Sequence, residues 1–250
     1  MIHIFTSVVN RPDFVELQNK LFEKFLKNSY EFHIIDDSII KSIENQFQNV
    51  CFDNGLKYYK KPPRTNIMNP AQACADTVQW TYDTIIRENH NEDIVLFLDS
   101  DMFLIDEFDI EEYMRDVIIS GLPQVRGHIT YMWNGIMFFN MPKVMEIDSD
   151  IDFSDGQVNG EMTDVGGNTY YYFRKNKINM KETDVQYPTH YNDIDLQKDA
   201  GGYNMELHLD GKFLHYRAAT NWHSNWRSSD DPLIGKTQIF KQIIESILSE

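Results

Sequence analysis

Two aspartates separated by one residue, Asp99 and Asp101, follow an unbroken apolar run at residues 94–98. A run of this length predicts a strand covered on both faces, as at the centre of an α/β sheet. Side chains alternate along a strand, so Asp99 and Asp101 are expected on the same side. Two such carboxylates resist ionising together unless a cation lies between them. The pair therefore predicts a Mn²⁺ or Mg²⁺ site at a strand's carboxyl end, whereas the alternative is a solvated strand end or a helix cap.

Composition and charge limit the classes of function. The chain has 250 residues, enough for one α/β domain, and its hydrophobic content of 42% predicts a folded protein rather than a disordered one. Its net charge of −16 repels nucleic acid and anionic membranes, so neither is expected as a partner. An anionic substrate would be repelled too, unless a metal ion and nearby arginines reverse the local field.

The cysteine content and the lengths of the apolar runs help to predict the cellular compartment of the protein. Cys51 and Cys74 are expected to be reduced, since two thiols do not form a disulfide framework in a chain of this size. The first predicted strand begins at Ile2, which leaves no room for a signal peptide, and no apolar run reaches the length of a membrane span. These features predict a cytoplasmic protein.

The first hundred residues alternate between strand and helix patterns. Strands are predicted over residues 2–7, 31–35 and 94–98, a strand followed by a loop over 57–63, and helices over 12–26 and 71–87. Such β-α-β units should place the strands in parallel. Asp36 follows the second strand, where it can accept a hydrogen bond from a ribose or cap the next helix, and both interpretations stay open. No G-x-G-x-x-G follows the first strand, which argues against a dinucleotide-binding Rossmann domain.

Beyond Asp101 the pattern is less regular. A helix is predicted over residues 110–120, strands over 124–130 and 135–140 with a turn at 133–135, and a second helix over 168–176. The dipeptide Asp210-Gly211 is typical of a type I′ turn and predicts a hairpin over residues 205–216. The last residues form an amphipathic helix pattern, which we expect to dock on the same chain.

The order and spacing of these features resemble the GT-A fold, metal-dependent nucleotide-sugar glycosyltransferases. The resemblance rests on the N-terminal β-α-β half and on three later segments: Asp99-Ser100-Asp101 after its strand, residues 133–140 with Asn134 and Gly135, and residues 213–217 followed by Asn221-Trp222. It implies an α/β fold with a mixed, mainly parallel sheet flanked by helices. The implied single domain, 1–250, comprises a nucleotide-binding half (1–105), a sugar and acceptor half (106–232) and a C-terminal helix (233–250).

The resemblance also implies the residues around the diphosphate. Asp101 and His215 would be direct ligands of Mn²⁺ or Mg²⁺, and Asp99 would contact the ribose, the metal or both. Arg217 would contact the diphosphate, and Arg11 is a weaker candidate for which surface charge is the ordinary explanation. Taken alone, His215 would be a sheet histidine with a satisfied hydrogen bond.

Other residues would face the rest of the donor. By position, Thr6, Ser7 and Asp36 would face the nucleoside, and Asn134 and Gly135 would approach the sugar. The implied partners are a UDP- or GDP-linked sugar as donor and a glycan, protein or small molecule as acceptor.

Asp164 precedes Gly166-Gly167 at the start of the predicted 168–176 helix. One interpretation makes it the N-cap of that helix. The other places it at the sugar, as the base for an acceptor hydroxyl or as a hydrogen-bond acceptor for a sugar hydroxyl.

Three other functions compete with glycosyl transfer. A haloacid-dehalogenase-like phosphatase also has D-x-D after an apolar strand, but usually on its first strand and with Thr or Val where this chain has Phe103. A sugar-nucleotide pyrophosphorylase needs a Gly-rich first loop, and residues 6–13 contain no glycine. A non-catalytic carbohydrate- or nucleotide-binding module would use aromatic residues such as Trp222 and Trp226.

Overall fold

A computed structural model of the chain describes residues 1–64, 69–196, 205–217 and 233–249. The strands are β1 (Ile2–Val8), β2 (Tyr30–Asp36), β3 (Lys57–Lys60), β4 (Ile94–Asp99), β5 (Met102–Leu104), β6 (Ile119–Arg126), β7 (Ile129–Asn140), β8 (Gly156–Val158), β9 (Glu161–Thr163), β10 (Lys181–Glu182), β11 (Val185–Gln186), β12 (His190–Tyr191), β13 (Ile194–Asp195), β14 (Met205–His208) and β15 (Phe213–Tyr216). The helices are α1 (Pro12–Phe25), α2 (Lys41–Asn54), α3 (Pro70–Thr81), α4 (Arg87–Asn89), α5 (Ile110–Met114), α6 (Met141–Ile147), α7 (Thr169–Asn176) and α8 (Leu233–Ser249).

Seven strands form the central sheet in the order β10-β6-β7-β4-β1-β2-β3. Strands β4, β1, β2 and β3 run parallel, whereas β7 runs antiparallel to both β4 and β6. A second sheet has the order β11-β14-β15-β5. The predicted α/β fold, with a mixed, mainly parallel sheet flanked by helices, is confirmed.

The central position of β4 follows from its apolar sequence. Leu96 and Leu98 pack into the hydrophobic cluster on one face of the sheet, and Val95 and Phe97 pack into the cluster on the other. All four side chains are essentially inaccessible to solvent. Burying a side chain of this size contributes about 1.5–3 kcal/mol, so β4 is strongly held and the position of Asp99 at its end is well defined.

The helix predicted over residues 71–87 is longer and less regular than its pattern suggests. It begins at Pro70, where Asn69 and Gln72 form a reciprocal capping box. After α3 the chain passes through a π-helical turn, Tyr82–Ile86, into α4. Tyr82 and Ile86 are both buried, so the widened turn keeps these side chains against the sheet.

Two predictions for the middle of the chain are wrong. The helix expected over residues 110–120 ends at Met114, and Ile119 pairs with Phe139 in β6 and β7 instead. The turn expected at residues 133–135 lies inside β7, and the chain reverses at Gly127 and His128. In both cases pairing with a distant strand overrides the local pattern.

The segment mistaken for a turn is a bulge in β7. Gly121 pairs with Met137 and the next residue, Leu122, pairs with Trp133, so residues 134–136 lack counterparts on β6. A Cβ atom on Gly135 would lie 1.9 Å from the Trp133 ring. Gly135 therefore lets the indole lie across the bulge.

The substitution Gly135→Ala is expected to lower the free energy of unfolding by about 1–3 kcal/mol, the usual cost of overpacking. Its Cβ would meet the Trp133 ring, so adding Trp133→Leu should relieve the clash. Urea unfolding of both single variants and the double variant measures this coupling. Strictly additive losses would show that the ring is not what excludes a side chain at position 135.

The C-terminal elements agree with their predictions. Asp210 and Gly211 both have positive φ, 52° and 83°, and the Lys212 N–H donates to the Leu209 carbonyl at 3.1 Å, as a type I′ turn requires. Helix α8 buries Phe240, Ile243, Ile244 and Ile247 against other parts of the same chain. Among the described helices, none combines the length and apolar character needed to cross a membrane.

Candidate functional site

A cavity of about 420 Å³ lies at the carboxyl ends of β1 and β4. Its lining comes from segments that are far apart in the sequence. The polar side chains of this lining are Ser7, Cys74, Asp99, Ser100, Asp101, Gln124, Asp164, Tyr187, Glu206, His215 and Arg217. Trp133 contributes an aromatic wall, with its ring centroid 5.4 Å from that of His215.

The turn that carries the two aspartates is held from behind by Gln18 of α1. Its side-chain Nε2 donates to the carbonyl oxygens of Asp99 at 3.0 Å and Met102 at 2.9 Å. Gln18 is fully buried, so these bonds form away from water. Gln18 is not among the predicted site residues, although a glutamine four residues after Phe14, on the apolar face of an amphipathic helix, is a usable signal.

His215 reaches the aspartates through the pairing of β15 with β5. His215 lies beside Met102 in that ladder, and the Tyr216 N–H donates to the Asp101 carbonyl at 2.8 Å. The His215 Nε2 is 3.5 Å from Asp101 Oδ1. Ligand atoms of Asp99, Asp101 and His215 all lie within 4.8 Å of one another. The structure thus brings together the three residues that the sequence predicts as metal ligands.

Glu206 supports His215 from the neighbouring strand. Its Oε2 is 2.8 Å from His215 Nδ1, and its Oε1 is 3.1 Å from an Arg217 nitrogen. A carboxylate in this position fixes the imidazole tautomer that leaves Nε2 available to a ligand. Glu206 is not among the predicted site residues either, yet the Asp210-Gly211 turn sets a register that places residue 206 opposite residue 215, as observed.

The electrostatics of the site show an unbalanced negative charge. Burial raises the pKa of Asp99 to about 7, and repulsion by Asp101 adds to this effect. Burial lowers the pKa of His215, but Asp101 and Glu206 more than offset burial and raise that pKa to about 9. Carboxylates that share so small a space favour a cation between them.

The donor set fits a hard divalent ion. Two carboxylates and one imidazole are ligands that Mn²⁺ accepts, and Mg²⁺ takes the same oxygen donors. His215 is oriented by Glu206, and the Asp99–Asp101 turn is oriented by Gln18. The residues present are therefore suited to hold such an ion at the carboxyl end of β4.

Ser7, Asp164 and Arg217 line the same cavity. The side chain of Asp164 accepts a hydrogen bond from the Val165 N–H at 2.8 Å, and helix α7 begins later, after Asn168. Asp164 is therefore not the N-cap of that helix, and the helix-capping interpretation of this residue is wrong.

Asp36 lies away from the cavity lining. It is fully buried; the Tyr58 hydroxyl donates to its Oδ2 at 2.7 Å, and the Lys60 ammonium is 3.2 Å from the same oxygen. Helix α2 begins after Ile40 without a side-chain cap, so the helix-capping interpretation of Asp36 is wrong. The predicted contact of Asp36 with a nucleoside stays a prediction.

Four further predicted residues also lie outside the cavity lining: Thr6, Arg11, Asn134 and Gly135. Arg11 makes a paired contact with Asp13, at 2.8 and 2.6 Å. Thr6 is fully buried in β1, and Asn134 is buried in the bulge of β7. Neither amide atom of Asn134 has a partner among the described residues. Asn221, Trp222 and Trp226 lie outside the described residues.

The sequence matches no protein-family model and no curated protein. Among solved structures, it is similar to the galactosyltransferase LgtC, with a TM-score of 0.42 and 15% identity over 58% of this chain and 60% of that one. It is also similar to the mannosyltransferase PcManGT from Pyrobaculum calidifontis, solved with GDP-Man and Mn²⁺. That alignment has a TM-score of 0.40 and 10% identity over 60% of this chain and 48% of that one. These neighbours are GT-A-type glycosyltransferases, but with TM-scores below 0.5 they carry no argument about the reaction of this chain.

The substitution Glu206→Gln is expected to weaken Mn²⁺ binding by about 10–100-fold, the usual cost of losing a carboxylate that orients a histidine ligand. Calorimetric titration of the chain with Mn²⁺ measures this change. The matched control is Glu161→Gln, because Glu161 also lies beside a histidine, 3.2 Å from His128, but outside the cavity lining. Equal Mn²⁺ affinities for the two variants would contradict a supporting role for Glu206.

Proposed function

We propose that the chain transfers a sugar from a nucleoside diphosphate sugar to an acceptor hydroxyl, with a divalent ion held by Asp99, Asp101 and His215. The observation that carries this proposal is the convergence of these three side chains, from β4, its turn and β15, in one cavity at the carboxyl ends of the parallel strands β1 and β4. Open α/β sheets bind ligands at this end.

The charge of the lining supports metal dependence. Four carboxylates face the cavity, those of Asp99, Asp101, Asp164 and Glu206. Among the described lining residues, Arg217 is the one permanent cation, and it lies 3.1 Å from Glu206. A diphosphate would be repelled by such a lining. A divalent ion, when bound, would offset this repulsion and neutralise charge that develops on the departing diphosphate.

The remaining residues have roles that follow from their chemistry. In the proposed reaction the bond between the sugar's anomeric carbon and the diphosphate oxygen breaks, and the diphosphate leaves with the electron pair. The acceptor oxygen forms the new bond to the anomeric carbon and loses its proton. Asp164 is the candidate to accept this proton or to bind a sugar hydroxyl, and Arg217 is the candidate to bind the diphosphate. Ser7 would contact the nucleoside.

The test is a panel of UDP- and GDP-sugars incubated with the chain and with sugar, peptide or water acceptors. Chromatography should detect released nucleoside diphosphate with Mn²⁺, and release should stop when EDTA is added. Metal-dependent binding of the donors without release for any acceptor would favour the non-catalytic binding module instead.

The phosphatase alternative has a specific observation against it. Phe103 takes the position that a Thr or Val occupies in that family, and its side chain is fully buried in β5 against Phe14 and Phe240. Three β-α units also precede the aspartates. Release of inorganic phosphate from simple phosphate esters would restore this alternative.

A further inference from the structure

Three histidines meet beside the amino-terminal halves of β1 and β2, away from the cavity. His3 lies on β1, His33 on β2, and His90 directly after α4. Ligand nitrogens of the three rings lie within 4.8 Å of one another. His3 precedes the cavity residue Ser7 by four positions along β1, about 13 Å at the rise of a strand. This histidine cluster, which includes the neighbouring Glu31, is therefore separate from the site described above.

Three donor atoms of the histidine cluster are spaced as the ligands of one metal ion are. His3 Nδ1 and His33 Nε2 are 3.0 Å apart, and Glu31 Oε2 is 3.5 Å from the first and 3.8 Å from the second. A point equidistant from these three atoms is about 2.0 Å from each, the length of a zinc–nitrogen bond. The His90 ring packs against that of His3, with 3.9 Å between centroids, and one of its nitrogens lies within 4.8 Å of ligand nitrogens of His3 and His33.

The outer nitrogens of the two strand histidines are already oriented. His3 Nε2 is 3.1 Å from Asp93 Oδ2, and His33 Nδ1 is 3.3 Å from the Tyr59 hydroxyl. With a proton on each of these outer nitrogens, His3 Nδ1 and His33 Nε2 present lone pairs to the same point. A carboxylate or hydroxyl behind the ring is the usual support of a metal-binding histidine.

Burial keeps the imidazoles in the form that binds metals. His3 and His33 are buried, and burial lowers the pKa of His3, of His90 and, to about 3, of His33. The Glu31 carboxylate, whose Oε1 is 3.6 Å from the Lys57 ammonium, is partly exposed and gives the cluster access to solvent. The donors are thus neutral imidazoles with one carboxylate.

We propose that this histidine cluster binds one zinc ion through His3, His33, His90 and Glu31. Three imidazoles and one carboxylate suit zinc, whereas Mg²⁺ and Mn²⁺ prefer sites dominated by oxygen. Four protein ligands complete a tetrahedral shell and leave no position for a substrate, so the ion has a structural role. It ties β1, β2 and the end of α4 together, away from the cavity.

Zinc binding can be tested on the full chain after removal of its affinity tag, whose own histidines would bind the ion. The parent for this test is Asp99→Asn/Asp101→Asn, which lacks two of the three proposed ligands of the other site. We expect one zinc per chain by elemental analysis. Zinc at 100 times its Kd should raise Tm by about 5–10 °C.

Two partly accessible ligands provide variants that should still fold. Adding His90→Gln or Glu31→Gln to the parent should weaken zinc binding by about 100-fold or more. This exceeds the usual loss of affinity when a residue that only orients a metal ligand is removed. The Tm increase should then disappear. Adding His128→Gln, which changes an exposed histidine outside the cluster, should leave zinc binding unchanged. The proposal is wrong if the parent binds no zinc, or if both cluster variants bind zinc as the parent does; the histidines would then be a packed layer beside Phe5.

Discussion

Asp101→Asn is expected to abolish the effect of Mn²⁺ on the binding of a nucleoside diphosphate. The substitution keeps the shape of a side chain that is buried beside Asp99 and His215, but removes the charge that attracts a divalent ion. A divalent ion held by these side chains would offset the repulsion between the carboxylates of the cavity and a diphosphate. The Kd measured by calorimetry with Mn²⁺ should therefore rise about 100-fold or more and approach the value in EDTA.

A nearby aspartate gives the control for this prediction. The exposed Asp106 follows β5 and contacts the half-buried Lys212 ammonium at 2.5 Å, outside the cavity lining. Asp106→Asn removes the same charge from the same part of the chain, but not from the cavity. Binding of the nucleoside diphosphate should therefore still depend on Mn²⁺ in this variant. If unmodified chain binds the nucleoside diphosphate equally well in Mn²⁺ and in EDTA, the metal assignment fails irrespective of either variant.

His215→Ala is expected to lower turnover of a nucleotide sugar by about 100-fold or more while the fold is retained. The imidazole lies on the cavity side of β15, 3.5 Å from Asp101, whereas Leu214 and Tyr216 on the other side carry the packing. Loss of a direct ligand should exceed the 10–100-fold effect of losing its supporting carboxylate. A higher Mn²⁺ concentration should be needed for half-maximal rate.

His215→Asn is expected to lower turnover less than His215→Ala does, because asparagine keeps a hydrogen-bonding group but is a poorer ligand for Mn²⁺ than histidine. Its turnover should fall between those of the unmodified chain and His215→Ala, and all three proteins should have similar circular dichroism spectra. The exposed-histidine variant His190→Ala is the control. Full turnover and an unchanged Mn²⁺ requirement in His215→Ala would exclude His215 as a ligand.

The sequence by itself determined the elements whose signal is local. Residues 94–98 are apolar at every position, as expected for a strand covered on both sides, and β4 occupies such a position. The Asp210-Gly211 dipeptide adopts the positive φ angles that a tight hairpin turn requires, and so places His215 in register with Glu206. These features depend on residue type and short-range spacing, and both are visible in one sequence.

Tertiary structure alone decided which segments pair and which side chains meet. Residues 119–120 have a pattern compatible with a helix, yet pairing with β7 makes them a strand, and the same pairing turns residues 134–136 into a bulge. The histidine cluster joins residues 3, 33 and 90, and the candidate site joins residues 18, 99, 101, 206 and 215. These contacts are stabilised by burial and by pairing between segments that are distant in the sequence. Such pairing produces no periodic pattern in the sequence, and the register of the strands exists only once the sheet has formed.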